Sequence, residues 1–292
     1  MTEPDTTLIV TSRGDVTADL VVRHLRHGRV HRVDPADITT GALRIEANIA
    51  SGRWTFELSD DHRSTRSDRI RSIWWRKPGP TSSDEGMAQL ENVLRTLDGV
   101  LWLHHPDVNT RAQYKAVQLT DAVRAGFRVP PVRIPASARS AKDFAAGGPV
   151  IAKGWAIRGP FVEATTEWES RVEGGPAVLQ RLVDKDHDVR LTAVEDRLFA
   201  ASVRPPGGSV DWRVEQQDAA YAAVDVPCGI ARSVANYMAF QRLSYGAFDF
   251  AVDREGRWWF LECNPNGQFG FVEARTGLPI SEEIAALLRE GP

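Results

Sequence analysis

The sequence predicts a mixed fold, α/β at its start and α+β beyond, and three observations carry that expectation. First, the apolar run Leu8-Ile9-Val10-Thr11, a helical stretch over about 17–25 and a second run at 30–33 give the strand–helix–strand order of a small α/β unit. Second, residues 188–194 and 198–203 alternate across the short turn Glu195-Asp196, as a hairpin does. Third, residues 246–252 and the run ending Phe260-Leu261-Glu262-Cys263-Asn264 form another hairpin across Asp253-Arg254-Glu255-Gly256. A chain of 292 residues has room for two or three such units.

The remaining elements follow in order. Leu43 to Ala47 and Trp54 to Leu58 alternate around Ser51-Gly52, a hairpin turn. Residues 70–75 read as a strand ending in Trp75-Arg76-Lys77-Pro78, and Met87, Leu90, Val93, Leu94 and Leu97 have helical spacing. His104-His105-Pro106 reads as a linker. Asn109 is expected to begin one helix through Arg111, Lys115, Leu119, Ala122 and Val123, stopped by Gly126. Residues 149–153 form a strand ending in Lys153, and 177–183 another interrupted by Gln180. A helix covers 231–243, and a last one starts near Ser281 as N-cap, with Glu282 and Glu283 in its first turn.

The second hairpin is the most informative segment. Residues i and i+2 of a strand face one side, so Glu262 and Asn264 point together. With an even-length loop Asp249 faces Phe260, and Glu262 is its diagonal neighbour on the same face. Two carboxylates and an amide oxygen suit a hard cation such as Mg²⁺. Cys263 then points the other way, into packing. Net charge is −3, which marks neither a nucleic-acid nor a membrane binder. No apolar run has the length of a membrane span, and the start, Met1-Thr2-Glu3-Pro4-Asp5, lacks a signal-peptide pattern. The two cysteines fit a reducing cytoplasm. Most of the nine tryptophans are expected in the core, with Trp74 and Trp75 facing opposite sides of their strand.

The order lysine helix, strand ending in Lys153, Gln180 strand, Asp188-x-Arg190 strand and acidic hairpin resembles the ATP-grasp superfamily. The run Phe260-Leu261-Glu262-Cys263-Asn264-Pro265-Asn266-Gly267-Gln268-Phe269 resembles its graspetide (microviridin-type) peptide maturases. Trp74-Trp75-Arg76-Lys77-Pro78, Lys115-x-x-Gln118-Leu119, Asp211-Trp212-Arg213 and Thr276-Gly277-Leu278-Pro279-Ile280 agree with it. The resemblance implies a pre-ATP-grasp domain at 1–107, a central subdomain at 108–178 and a C-terminal subdomain at 179–292, clamping ATP. It implies a homodimer and a precursor peptide, leader plus core, as partner.

By the same resemblance, Lys115 and Lys153 meet the ATP phosphates. Main-chain groups of Arg181 and Val183, in the hinge Gln180-Arg181-Leu182-Val183, read the adenine. Asp186 or Asp188 meets the ribose, and the loop 154–159 covers the phosphates. Asp249, Glu262 and Asn264 hold Mg²⁺, with Asn264 also near the nucleotide. Arg190 and Arg213 face the reacting phosphoryl and acyl groups, because a guanidinium matches both bidentately. For Arg190 the plain alternative is an ion pair with Asp188. The implied activity is an ADP-forming ligase that makes ester or amide cross-links within a peptide. The alternatives are a ligase adding a free amino acid and a degenerate nucleotide-binding regulator.

Overall fold

The computed structural model describes residues 3–25, 28–78, 84–154, 165–175 and 177–292. The opening unit runs β1 (Thr6–Thr11), α1 (Val16–His24), β2 (Arg29–Val33), α2 (Ala36–Thr40), then an antiparallel meander of β3 (Arg44–Ala50), β4 (Arg53–Ser59) and β5 (Ser64–Arg66). It closes with β6 (Ile70–Lys77), α3 (Asp84–Leu94) and β7 (Leu101–Leu103), and the parallel sheet has the order β2-β1-β6-β7. All six residues of β1 are buried, as expected of a parallel strand covered on both faces. Ser51 and Gly52 both have positive φ, 52° and 78°, the twist a two-residue hairpin loop needs. Trp74 and Trp75 are both buried and enter different cores, Trp74 with Ile9 and Val21, Trp75 with Leu8 and Leu90.

The expected single helix after Pro106 is two, α4 (Pro106–Gln113) and α5 (Lys115–Ala125). Tyr114 between them is extended, at φ −69° and ψ 106°. The break is stabilised by Gln118, whose Nε2 donates to the Ala112 carbonyl at 2.6 Å, an acceptor the broken helix leaves open. Next come β8 (Val132–Arg133), α6 (Ala138–Ala145), β9 (Val150–Lys153), α7 (Trp168–Glu173) and β10 (Val178–Arg181). Their antiparallel sheet, β8-β10-β9, packs on a small core of Ala141, Ala152 and Leu179.

The last unit holds β11 (Lys185–Val194), β12 (Arg197–Arg204), β13 (Ala220–Ala223), α8 (Cys228–Gln241), β14 (Tyr245–Asp253), β15 (Trp258–Asn264), α9 (Gly270–Thr276) and α10 (Ile280–Glu290). The strands form one antiparallel sheet, β13-β12-β11-β14-β15. Alternation divides its faces. Val189, Leu191, Phe248, Phe250 and Phe260 pack on Ala122 of α5 and on Tyr237 and Met238 of α8. Each such buried aromatic or aliphatic side chain stabilises by about 1.5–3 kcal/mol. On the other face, Val194, Ala201, Tyr245 and Ala247 pack on α1, α9 and α10. Farther along that same face stand Asp188, Arg190 and Asp249. The chain thus returns to its start: Ser72 of β6 donates through Oγ to the Leu288 carbonyl of α10 at 2.8 Å.

Ser281 is not an N-cap. It lies inside α10, fully buried, and Glu273 of α9 accepts from its N–H at 2.7 Å and its hydroxyl at 2.5 Å. A carboxylate from the preceding helix therefore meets the helix start. No helix among the described residues is long and apolar enough to cross a membrane. Cys263 is buried in the core against α5 and α8, where burial pushes its thiol up, and Cys228 is exposed. In native protein a disulfide-exchange reagent should therefore react rapidly with Cys228 alone; the Cys263 thiol should appear only in denaturant. Rapid titration of both thiols without denaturant would contradict this packing.

Candidate active site

The turn of the second hairpin decides where the carboxylates meet. Its loop has three residues, Arg254 to Gly256, with Gly256 at φ 76° and Asp253 N–H donating to the Arg257 carbonyl at 3.1 Å. The register is therefore not the one an even loop gives. Val252 pairs with Trp258 and Phe250 with Phe260, after which Leu261 bulges out. The bulge shifts the register by one, so Asp249 lies directly opposite Glu262 rather than Phe260, and Ala247 opposite Asn264. The two carboxylates stand on neighbouring strands, about 5 Å apart Cα to Cα.

Each carboxylate has cationic partners. Asp249 accepts from Arg190 Nη1 at 2.9 Å, in a pair almost wholly buried. Arg190 therefore pairs with Asp249, whereas Asp188 accepts from Lys185 Nζ at 2.5 Å. Glu262 accepts from Lys115 Nζ at 2.7 Å and from Arg213 Nη1 at 3.1 Å. Arg213, in a 3₁₀ turn, also grips Asp211 through two nitrogens, both at 2.8 Å. Burial works against ionisation of Glu262, but Lys115 and Arg213 outweigh it and hold the carboxyl below its ordinary range. Burial dominates at Asp249 and, despite Arg190, raises its carboxyl above the ordinary value.

The end of β15 is locked from both sides. Gln118 Nε2 donates to the Cys263 carbonyl at 2.8 Å and its Oε1 accepts from the Cys263 N–H at 3.1 Å, so α5 fixes the residue between Glu262 and Asn264. Asn264 Oδ1 accepts from the Asn266 N–H at 2.9 Å. Arg76, with a fully buried side chain, donates to the carbonyls of Asn266 and Gly267 at 2.6 and 3.2 Å and to Gln268 Oε1 at 2.9 Å. Arg190 Nη2 donates to the Gln268 carbonyl at 3.0 Å. Lys185, Asp211, Arg76 and Gln118 are not among the candidates, although Asp211, Arg76 and Gln118 lie inside the motifs quoted above. Only folding shows that the partners of Gln118 and Arg76 at the end of β15 sit 145 and 192 residues away.

A cleft opens between the β8-β10-β9 sheet and the five-stranded sheet. Lys153, Gln180, Leu182, Val183, Lys185, Asp188, Asp211, Arg213, Asp249 and Glu262 are among its lining residues. Lys153 makes no ion pair with a described residue, and burial lowers its ammonium below the ordinary value. Arg181 is bonded through both its main chain and its side chain. Its N–H donates to the Pro131 carbonyl at 2.8 Å, and its side chain crosses to α6, over the Phe144 ring and onto the Phe144 carbonyl at 2.9 Å. One main-chain group of Arg181 is therefore engaged beside β8, whereas Val183 lies past the strand end. Asp186 is displaced: it is exposed and bonded to Arg204 and His187, outside the cleft lining. The expected phosphate-covering loop, with Trp155, lies outside the described residues except for Gly154.

Among the described residues no three His, Cys, Asp or Glu side chains cluster as a metal cage. The donor set is instead Asp249, Glu262 and the Asn264 amide, with Asp188 nearby carrying a buried Oδ1 that lacks a hydrogen-bond partner among described groups. Such a set fits Mg²⁺, which takes one or two carboxylates and completes its shell with water and phosphate oxygens.

No protein-family model matches the chain, and no curated protein does. Solved structures do. A Chryseobacterium gregarium RiPP-associated ATP-grasp ligase, solved with ADP and a leader and core peptide, superposes with a TM-score of 0.85 at 22% identity, over 99% of this chain and 98% of that one. The Microcystis aeruginosa macrocyclase MdnC, bound with precursor peptide MdnA, gives 0.83 at 21% identity, over 98% and 100%. The chain has the ATP-grasp fold. D-cycloserine synthetase DcsG is more distant, at 0.60 and 15% identity, over 98% and 99%.

Burial raises the Asp188 carboxyl to about 6 despite Lys185, with Asp249 and Asp211 adding to the rise. Between the ordinary 3.8 and about 6 the folded chain keeps a proton that the unfolded chain has lost. Its contribution to stability therefore falls as pH climbs through that window and is level above it. Asp188→Asn should remove that slope, worth on the order of 2–3 kcal/mol. Urea unfolding of both proteins across the window measures it, and parallel curves would refute the assignment.

Proposed function

We propose that this chain is an ADP-forming, ATP-dependent carboxylate ligase that cross-links side chains of a precursor peptide. The carrying observation is the charge pattern of one sheet face: Asp249 opposite Glu262, with Arg190, Arg213, Lys115 and Lys153 converging on them at an ATP-grasp cleft. Lys153 and Lys115 attract the phosphates, and Gln180, Leu182 and Val183 line the adenine side. Asp188 lines the same cleft on the side of Lys185. Asp249, Glu262 and Asn264 would hold Mg²⁺, which supplies charge neutralisation at the phosphoryl oxygens.

The protein's own work is positioning and electrostatics. A substrate Asp or Glu carboxylate, oriented by Arg213, attacks the γ-phosphorus and forms an acyl phosphate while ADP leaves. A Ser or Thr hydroxyl or a Lys amine of the same peptide then attacks the acyl carbon and gives up its proton to solvent or to the departing phosphate, phosphate leaves with the bonding pair, and one ester or amide forms. Arg190 supports the charge from beneath, through Asp249 and the Gln268 carbonyl. A leader segment, a homodimer and a cytoplasmic setting belong to the same reading. Similarity supports a peptide substrate: the ligase solved in complex with leader and core peptide and the macrocyclase superpose better than D-cycloserine synthetase does.

Lys153→Ala should weaken binding of a non-hydrolysable ATP analogue by about one to two decades, the loss of one charge-assisted contact of about 1.5–3 kcal/mol. Unchanged affinity by calorimetry would remove Lys153 from the phosphate contacts. With the precursor peptide, each bond should release one ADP and one phosphate and lower the product mass by one water. Hydroxylamine should trap a hydroxamate on an acidic residue, and Arg213→Ala should reduce trapping more than nucleotide binding. A mass gain of one amino acid would indicate the amino-acid ligase instead, and AMP would contradict the mechanism.

A further inference from the structure

Lys115 is the first residue of α5, where the helix macrodipole is positive and a cation is least favourable. Helix stability therefore does not explain it. Its ammonium crosses to Glu262, which Arg213 also contacts. The other carboxylate is held differently. Arg190 and Asp249 are both about 6% exposed, and Arg190 is tied to the Gln268 carbonyl. A Cβ on Gly267 would come within 2.5 Å of Arg190 Nη2, so the turn leaves that guanidinium little room. Lys115 and Glu262 are 26% and 22% exposed, and the lysine has a flexible four-carbon stem. One pair is built in; the other can exchange.

Resting on the ATP and Mg²⁺ reading above, we propose that Lys115 is a placeholder cation: it occupies Glu262 in the empty site and yields it to a divalent metal when phosphates arrive to receive the ammonium. Metal alone must displace Lys115 from Glu262 with nowhere favourable to send it. Nucleotide alone must draw Lys115 from Glu262 and leave that carboxylate facing phosphate. Only together does every charge keep a partner, so the site discriminates against either ligand alone.

The test uses Mn²⁺ as probe, without nucleotide, with free Mn²⁺ read by electron paramagnetic resonance. Lys115→Met should bind Mn²⁺ about tenfold tighter than wild type, equivalent to about 1.4 kcal/mol. Lys115→Arg, which keeps the charge, should bind like wild type. The gain should vanish when Lys115→Met is combined with Glu262→Gln. In EDTA, calorimetry should show a non-hydrolysable ATP analogue binding Lys115→Met about tenfold more weakly. Gain from one substitution and loss from the same substitution distinguish an exchanged partner from a structural ion pair. If Lys115→Met binds Mn²⁺ no tighter than wild type, the placeholder role is overturned while nucleotide binding stands. If wild type fails to bind the analogue even with metal, the nucleotide reading itself fails.

Discussion

The site depends on one short turn held between two arginines from opposite ends of the fold. The carbonyls of Asn266 and Gly267 face Arg76, from the opening sheet, and that of Gln268 faces Arg190, from the five-stranded sheet. Tyr245 donates its hydroxyl to the Gly267 carbonyl at 2.7 Å. Three successive carbonyls thus accept from two buried guanidiniums, each also paired to a carboxylate, Asp15 or Asp249. The arrangement needs glycine at 267, because a Cβ there would collide with the Ala247 Cβ and with Arg190. The turn follows Glu262 and Asn264 directly, so whatever fixes it also fixes them.

Charge balance explains why so many ionised groups tolerate one cleft. Asp188, Asp211, Asp249 and Glu262 supply four carboxylates; Lys115, Lys153, Lys185, Arg190 and Arg213 supply five cations. Pairing limits the cost of burying them. The surplus positive charge suits a ligand carrying several negative charges, as a nucleoside triphosphate and a carboxylate do together. A metal then reconciles the carboxylate side with that ligand.

Much of this was legible in the sequence because hairpins encode it locally. Alternation places Glu262 and Asn264 on one face whatever the rest of the chain does. What escaped was not local. The loop length that sets Asp249 against Glu262 differs by one residue from the expected one, and periodicity cannot see a bulge at Leu261. Tyr114 interrupts a pattern that reads as continuous helix, since the helix break depends on Gln118 reaching both Ala112 and Cys263. The bond from the Arg181 N–H to the Pro131 carbonyl carries no local signal either, because its partner lies on the approach to a separate strand. Lys185 carries no signal of its own; its role exists only because Asp188 is buried beside it.

The two faces of the five-stranded sheet carry different burdens. The face of Phe248, Phe250 and Phe260 binds α5 and α8 into an aromatic core, with Phe127 stacked on Phe260 at 5.3 Å between centroids. The opposite face carries buried ion pairs, which are a weak source of net stability because desolvation offsets their attraction. At the cleft end of the sheet, apolar packing is therefore concentrated on one side and charge on the other, one residue apart along each strand, while the far end of the charged face packs on α1, α9 and α10. Phe248 and Phe250 flank Asp249; Val189 and Leu191 flank Arg190. A substitution on the charged face can change binding while the adjacent aromatic packing keeps the strand in place. A one-residue slip of β14 or β11 would exchange the two sets, burying charge in the aromatic core and exposing phenylalanine to the cleft. That penalty makes the register, and with it the meeting of Asp249, Glu262 and Arg190, a consequence of hydrophobic burial rather than of the charges themselves.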